Sequence, residues 1–324
     1  MTKSIRPPFI RNADFIENAF QRRYQGFLAR ARAQTSWHCL DAVPGSGKSW
    51  GIRDYVGRSG ACKQRDGHSK NPVVAIRGLS GIKTVNAIAT ALAVQYGVAP
   101  SMKMDHRRGW VVEEAARTGL DQLIIDDAHE MSDSQIGFIK EFTDNLEALP
   151  YQRRISVVFV SASIDGLNPL KGRFESKQIY WCQMRRRLDP KERYCRILGH
   201  TVEELGEICL GFEIVYQGQF PDLVLHVWAD YMYQRLTDPR LDPDGTRRVS
   251  MDNITKLITI SLETAYAAGL TNITSDILKA AADVLVFGGD KVGDIDGEPD
   301  VVDGADDEDI DGEDEDPRSE GEAP

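Results

Sequence analysis

The stretch Ala42-Val43-Pro44-Gly45-Ser46-Gly47-Lys48-Ser49 constrains this chain more than any other. It follows an apolar run from Trp37 to Val43 and precedes a segment of helical character, so it reads as strand, loop and helix in succession. Gly45 and Gly47 let the backbone curl until successive N–H groups point inward, and the N-terminus of the next helix adds partial positive charge. A loop of this kind, Pro44 to Ser49 with Ser46 at its centre, cradles phosphates. Lys48 would reach the β- and γ-phosphates, and the Ser49 hydroxyl would ligate Mg²⁺. Ala42 stands where the strict pattern has its first glycine, a change that negative φ tolerates. A chance Gly-rich turn is the bland alternative, and the spacing and flanks argue against it.

About eighty residues further on, Leu123-Ile124-Ile125-Asp126-Asp127 reads as a buried parallel strand ending in carboxylates. Open α/β sheets bind ligands at that edge. Asp126 is placed to hold Mg²⁺ through water, opposite Ser49, and Asp127 to face and polarise an attacking water. A bare apolar run ending in two acids is a weak signal, but after a phosphate loop it becomes a strong one, and together the two elements point to a nucleoside triphosphate bound with magnesium.

The formal charge of −11 hides a division within the chain. From Asp290 onward seventeen acids face two bases, a net of −15, which leaves 33 acids and 37 bases in residues 1–289, a net of +4. The tail is too poor in apolar residues to bury a core and is expected to be disordered. It reads either as a solubilising appendage or as a DNA mimic competing for a basic face. No run approaches the roughly 20 apolar residues of a membrane span, and Met1-Thr2-Lys3-Ser4 opens no apolar secretory core, so a cytoplasmic protein is expected. The five cysteines are scattered without a Cys-x-x-Cys pair, which favours thiols over disulfides or zinc.

Between the motifs, apolar stripes predict helices over 12–33, 83–96, 107–117 and from Ser132 onward, and β-branched runs predict strands at 73–76 and 155–160. The alternation predicts a doubly wound α/β domain with a mainly parallel sheet. Beyond residue 188 helical stretches take over, at 189–198, 202–209, 221–236, 251–268 and 275–284. The division that follows is a helical extension (1–35), a nucleotide-binding domain (36–187), a helical lid (188–288) and an acidic tail (289–324).

With Pro-Gly-Ser-Gly-Lys-Ser, Leu-Ile-Ile-Asp-Asp-Ala-His and Val-Val-Phe-Val-Ser-Ala-Ser in that order, the chain resembles the AAA+ transposition ATPases of the TniB, TnsC and MuB group over roughly residues 15–285. Origin-recognition and ExeA-like ATPases share the outline. The resemblance implies ATP and Mg²⁺ as cofactors, assembly as a ring or helical filament on duplex DNA, and recruitment of a transposase. It implies a γ-phosphate sensor at Ser161 or Ser163, either of which could equally be a strand-end cap. Arg173 would be an arginine finger reaching a neighbouring subunit, with Arg185, Arg186 and Arg187 as rivals. Lys256 would lie near the phosphates from the lid, and Lys103, Arg107 and Arg108 would contact DNA along the inner surface of the assembly. Further basic pairs, Lys63 with Arg65 and Arg153 with Arg154, suit non-specific phosphate contacts or simply a solvated surface.

Asp127 departs from the family, where a glutamate is usual, so slow hydrolysis suited to a switch is expected, with Glu130 as a substitute carboxylate. His129 invites comparison with DEAH helicases, but a single phosphate loop without a second motor domain speaks against it. The competing functional reading is a signalling or secretion-associated ATPase acting on a protein partner, the basic pairs being incidental. A P-loop kinase is a weaker third, since no acceptor-binding motif is evident.

Overall fold

Four apolar runs become neighbouring strands of one sheet, and a fifth strand joins them from a stretch whose composition looked helical. The computed structural model describes residues 18–63, 69–78, 84–97, 104–163 and 168–290. The chain opens with α1 (Ala19–Gln34), β1 (Trp37–Ala42) and α2 (Lys48–Arg58), then a small antiparallel pair, β2 (Cys62–Lys63) and β3 (Ser69–Lys70). It continues through β4 (Val73–Arg77), α3 (Val85–Gln95), α4 (Met104–Arg117), β5 (Gln122–Asp126), α5 (Asp133–Glu147) and β6 (Ser156–Ala162). Two short helices, α6 (Lys171–Phe174) and α7 (Ile179–Arg185), precede β7 (Tyr194–Ile197). Four helices follow: α8 (Val202–Tyr216), α9 (Ala229–Leu236), α10 (Met251–Ala267) and α11 (Ser275–Asp290).

The main sheet has the order β4-β5-β6-β1-β7, and all its pairings are parallel. Successive side chains of β1 enter opposite cores. Trp37 and Cys39 pack with the α3, α4 and α5 face, whereas Leu40 and Ala42 meet Phe20, Tyr24, Phe27 and Leu28 of α1. Burial on both faces is why these strands are continuous apolar runs rather than alternating ones. It also fixes where the connecting loops converge, because all strands end on one edge. The loop after β1 emerges there between β6 and β7, with the end of β5 one strand further on.

β7 corrects the sequence reading, which placed a helix over 189–198. The segment runs parallel to β1 with Arg196 opposite Asp41 in the register. Its residues are only half-buried except Ile197, as an edge strand allows, so the β signal is weak. A second apolar core lies wholly within α8–α11, built on Leu205, Ile208, Phe212, Leu257, Ile258 and Leu278. Helix starts carry side-chain caps where the sequence suggests them: Ser132 forms a capping box with Gln135, and Thr201 and Ser250 cap α8 and α10. The predicted helix at 221–236 is shorter than read, since α9 begins only at Ala229. Helix α11 extends to Asp290, so the expected tail boundary at 288/289 falls inside it, and the acidic residues from 291 onward lie outside the described residues. Among the described residues no helix is long and apolar enough to cross a membrane.

Candidate functional site

The loop after β1 has the shape its glycines allow. Gly45 and Gly47 both sit at positive φ, 68° and 87°, and Gly47 starts α2 from that conformation. Ser46 is buried and its hydroxyl has no hydrogen-bond partner, a polar group left for a ligand. Lys48 is 8% exposed and folds back so that Nζ donates to the carbonyls of Val43 and Ala42, at 3.0 and 3.2 Å. Burial lowers its pKa, and the carboxylates of Asp126, Asp127 and Asp41 oppose that shift. The ammonium is thus desolvated with only carbonyl acceptors, a state that an incoming phosphate would relieve.

Across the sheet edge, Ser49 Oγ lies 2.5 Å from Asp126 Oδ2. A hydroxyl and a carboxylate from separate elements, both hard oxygen donors, are therefore already together, and these residues fit an ion such as Mg²⁺, which they would hold. Asp127 adopts the left-handed conformation, φ 51°, with its carboxylate on Arg77 at the end of β4. Arg77 Nε donates to Asp127 Oδ2 at 2.7 Å. Gly78 is needed beside them, because a Cβ there would come within 2.3 Å of the Asp127 carbonyl. Glu130 is exposed, 3.5 Å from His129, in the short helical turn that follows.

Ser161 and Ser163 both turn to a residue the sequence reading passed over. Asp41, 1% exposed in β1, accepts from Ser163 Oγ at 2.5 Å and from Ser161 Oγ at 3.3 Å, with Arg196 Nε 3.9 Å away. Burial raises the Asp41 carboxyl, while the two serines, Arg196 and the nearby Lys48 hold it back. A lone acid within an apolar strand next to a phosphate loop is the signal that could have found it. The serines end the strand as anticipated, yet their hydroxyls are engaged by Asp41 on β1.

Two further elements grip the loop. Gln21 of α1 donates from Nε2 to the Gly47 carbonyl at 3.1 Å, and a Cβ on Gly51 would meet Gln21 Oε1 at 2.2 Å. From the helical part, the Asp252 backbone N–H donates to the Gly45 carbonyl at 2.7 Å. Lys256, one turn along α10, is 2.6 Å from the Asp252 carboxylate, so its position beside the loop is shared with an acid the sequence did not flag. Arg173, half-exposed on α6, donates to the Met131 carbonyl at 2.5 Å and lies 3.9 Å from Asp133.

The expected DNA contacts fare differently. Arg107 is 5% exposed and donates to Thr90 Oγ1 at 2.5 Å, so it ties α4 to α3 rather than facing solvent, a correction to the sequence reading. Arg108 is half-buried, 3.1 Å from Asn86 Oδ1, with its guanidinium over the Phe138 ring. Lys103 lies outside the described residues, as does Arg65.

No family model matches the chain, and no curated protein does. Solved structures do. The Aeropyrum pernix ORC2 protein, solved as ADPNP–ADP complexes, superposes with a TM-score of 0.62 at 13% identity, covering 85% of this chain and 70% of that one. The Aeropyrum pernix ORC1 protein in complex with DNA gives 0.53 at 14% identity over 83% and 66%. Drosophila ORC bound to DNA gives 0.51 at 12% identity over 83% and 61%. This chain thus spans between about three fifths and seven tenths of the length of those proteins. The parallel sheet, the glycine loop leading into α2 and the similarity to these structures together establish that the chain has their parallel α/β fold.

Proposed function

We propose that this chain is an ATP-dependent, DNA-binding AAA+ regulator of transposition that assembles on duplex DNA and recruits a transposase. The observation that carries the nucleotide half is the pairing of Ser49 with Asp126 beside an unpartnered Ser46 hydroxyl and a desolvated Lys48. Bound there, ATP and Mg²⁺ would supply the scissile phosphoanhydride and the cation that neutralises its charge. Lys48 and the loop amides would hold the phosphates, Ser49 and Asp126 the ion, and Asp127 would orient the water. The shorter side chain of Asp127 and its bond to Arg77 favour slow turnover.

DNA binding is supported by two DNA-bound structures of the same fold and by the net positive body of the chain. The transposition assignment rests on the motif resemblance. Arg173, supplied to a neighbour's pocket in a ring or filament, would make hydrolysis depend on assembly. The nucleotide-binding unit expected over 36–187 extends on this reading through β7, which pairs with β1, and α8–α11 form the lid, with cytoplasmic action.

The test is binding to random-sequence duplex DNA. ATP-dependent, salt-sensitive binding that Lys48→Ala abolishes supports the reading, together with ATP-dependent capture of an integrase-type transposase encoded beside the gene. Nucleotide affinity retained by Lys48→Ala would refute the phosphate-loop assignment. DNA binding absent at all salt concentrations would leave the protein-partner alternative in its place.

A further inference from the structure

At the end of the sheet opposite the nucleotide loop, where the strands begin, two cavities adjoin. One, of about 300 Å³, is lined by Trp37, Glu147, Arg154, Arg186 and Arg187 among others. The other, of about 320 Å³, is lined by Arg32, Asp121 and Arg154. They share Thr35 and Arg154 and so form one groove. The length of β1, about 20 Å for six residues, separates it from the phosphate loop. Sequence-distant arginines converge here: Arg32 from the last turn of α1, Arg154 ahead of β6, and Arg186 and Arg187 after α7.

Some of this charge is neutralised within the chain. Arg32 pairs with Asp121, Arg154 with Glu147, and Arg187 with Asp144 while stacking over Trp37. Arg186 is exposed, and its guanidinium makes no hydrogen bond or ion pair among the described residues. Four arginines against Asp121, Glu147 and the Asp144 that pairs with Arg187 leave an excess of one positive charge. Thr35 at its lip holds φ 51°, rare for a β-branched residue and a kind of strain that clusters at functional positions. The large apolar side chains of the lining, Trp37, Ile155 and Leu188, are all buried, so the groove offers charge and hydroxyls but no apolar anchor. An acidic peptide would want such an anchor, whereas a sugar-phosphate backbone needs none.

We propose that this groove binds the phosphate backbone of duplex DNA, with Arg154 and Arg186 as the contacting side chains. The proposal rests on the DNA-binding reading above and gives that reading a surface distinct from Lys103–Arg108. The experiment measures affinity for a random-sequence duplex across salt concentrations in the presence of ATP. It compares the unaltered protein, Arg186→Gln, the double variant Arg154→Gln/Arg186→Gln, and a lid control, Arg235→Gln/Arg240→Gln, that removes the same charge elsewhere.

Each lost phosphate contact should flatten the salt slope by about 0.9, so the double variant should lose about 1.8 and bind at least about tenfold more weakly at low salt. The control should stay near the unaltered protein, and ATP affinity of the dilute subunit without DNA should be unchanged throughout. Because Arg186 has no side-chain partner to lose among the described residues, its single variant reports on the groove even if the double variant is destabilised. If the double variant and Arg186→Gln bind as the unaltered protein does, the groove is not the DNA surface. If the control weakens equally, the effect is net charge, and the proposal also falls. If the unaltered protein itself binds no duplex, the DNA reading beneath it fails first.

Discussion

Arg77 and Asp127 meet across 2.7 Å at the ends of neighbouring strands, so the second carboxylate of the site is held by a base that is otherwise largely solvent-exposed. An anion gripped this way is less free to swing toward a water. Replacing Arg77 with Ala should therefore raise basal ATP turnover several-fold while ATP affinity stays within about threefold. Asp127→Asn should retain ATP and lose about a hundredfold in phosphate release, the usual scale for removing a general base. Unchanged release in Asp127→Asn would move the role to Glu130.

Asp41 should matter for stability first and turnover second. Asp41→Ala strips the acceptor from two buried serine hydroxyls and should cost about 2 kcal/mol, lowering Tm by roughly 5 °C. Asp41→Asn keeps the shape and an acceptor oxygen. Burial raises the carboxyl above its unfolded value, so ionising it opposes folding, and the Asn variant should melt close to the unaltered protein at pH 7. A scan in which Asn is as damaging as Ala would show that the charge itself is required.

Among the described residues, the Arg173 side chain donates to the Met131 carbonyl and lies near Asp133. If it serves a neighbour's phosphate, Arg173→Ala should bind ATP normally as a dilute subunit yet lose assembly-stimulated hydrolysis. Mixing it with Lys48→Ala subunits should recover part of the activity, because some interfaces then combine an intact pocket with an intact finger. Mixtures as inactive as their parents would argue against action between subunits.

Glu204 of α8 binds Arg23 of α1, Arg247 (2.6 Å) and His200 (3.6 Å), joining the helical part to the helix that grips the phosphate loop. Burial would raise its carboxyl, but these partners hold it well below the usual 4.5, so its stabilisation is complete above that pH and fades as acid approaches the folded value. His200, kept neutral by burial, adds a loss that begins below about 6.5. Tm should thus fall in two stages on acidification. Glu204→Gln should lower Tm at pH 7, by about 2 kcal/mol of stability, and abolish the second stage. A Tm in Glu204→Gln that still falls steeply below pH 4.5 would contradict this assignment.

The glycine loop leading into α2, the strand ending at Asp126 and three further strands of the main sheet were legible because spacing and runs of β-branched residues are local signals. β7 was not, since Tyr194, Cys195 and Arg196 sit half-exposed at an edge and carry little β pattern. Asp41, Gln21, Arg77 and Asp252 join the site only through tertiary packing, from the sheet, the helix before it, strand β4 and α10. Arg107 was misread for the complementary reason. A basic pair on a helix shows its charge in sequence but not which of its two members faces inward.

The hydrogen bond from the Asp252 amide to the Gly45 carbonyl uses main-chain atoms only, so no side-chain replacement short of proline can remove it. Space is equally tight on the other side, where a Cβ on Gly45 would stand 2.6 Å from that of Asp252. The loop and the first turn of α10 therefore behave as one mechanical part. A ligand that draws the loop inward by a fraction of an ångström must carry the helix with it or break the bond. On the proposed reading, occupancy of the pocket would be passed to α10 by backbone alone, and scanning mutagenesis of side chains would leave that lever unseen.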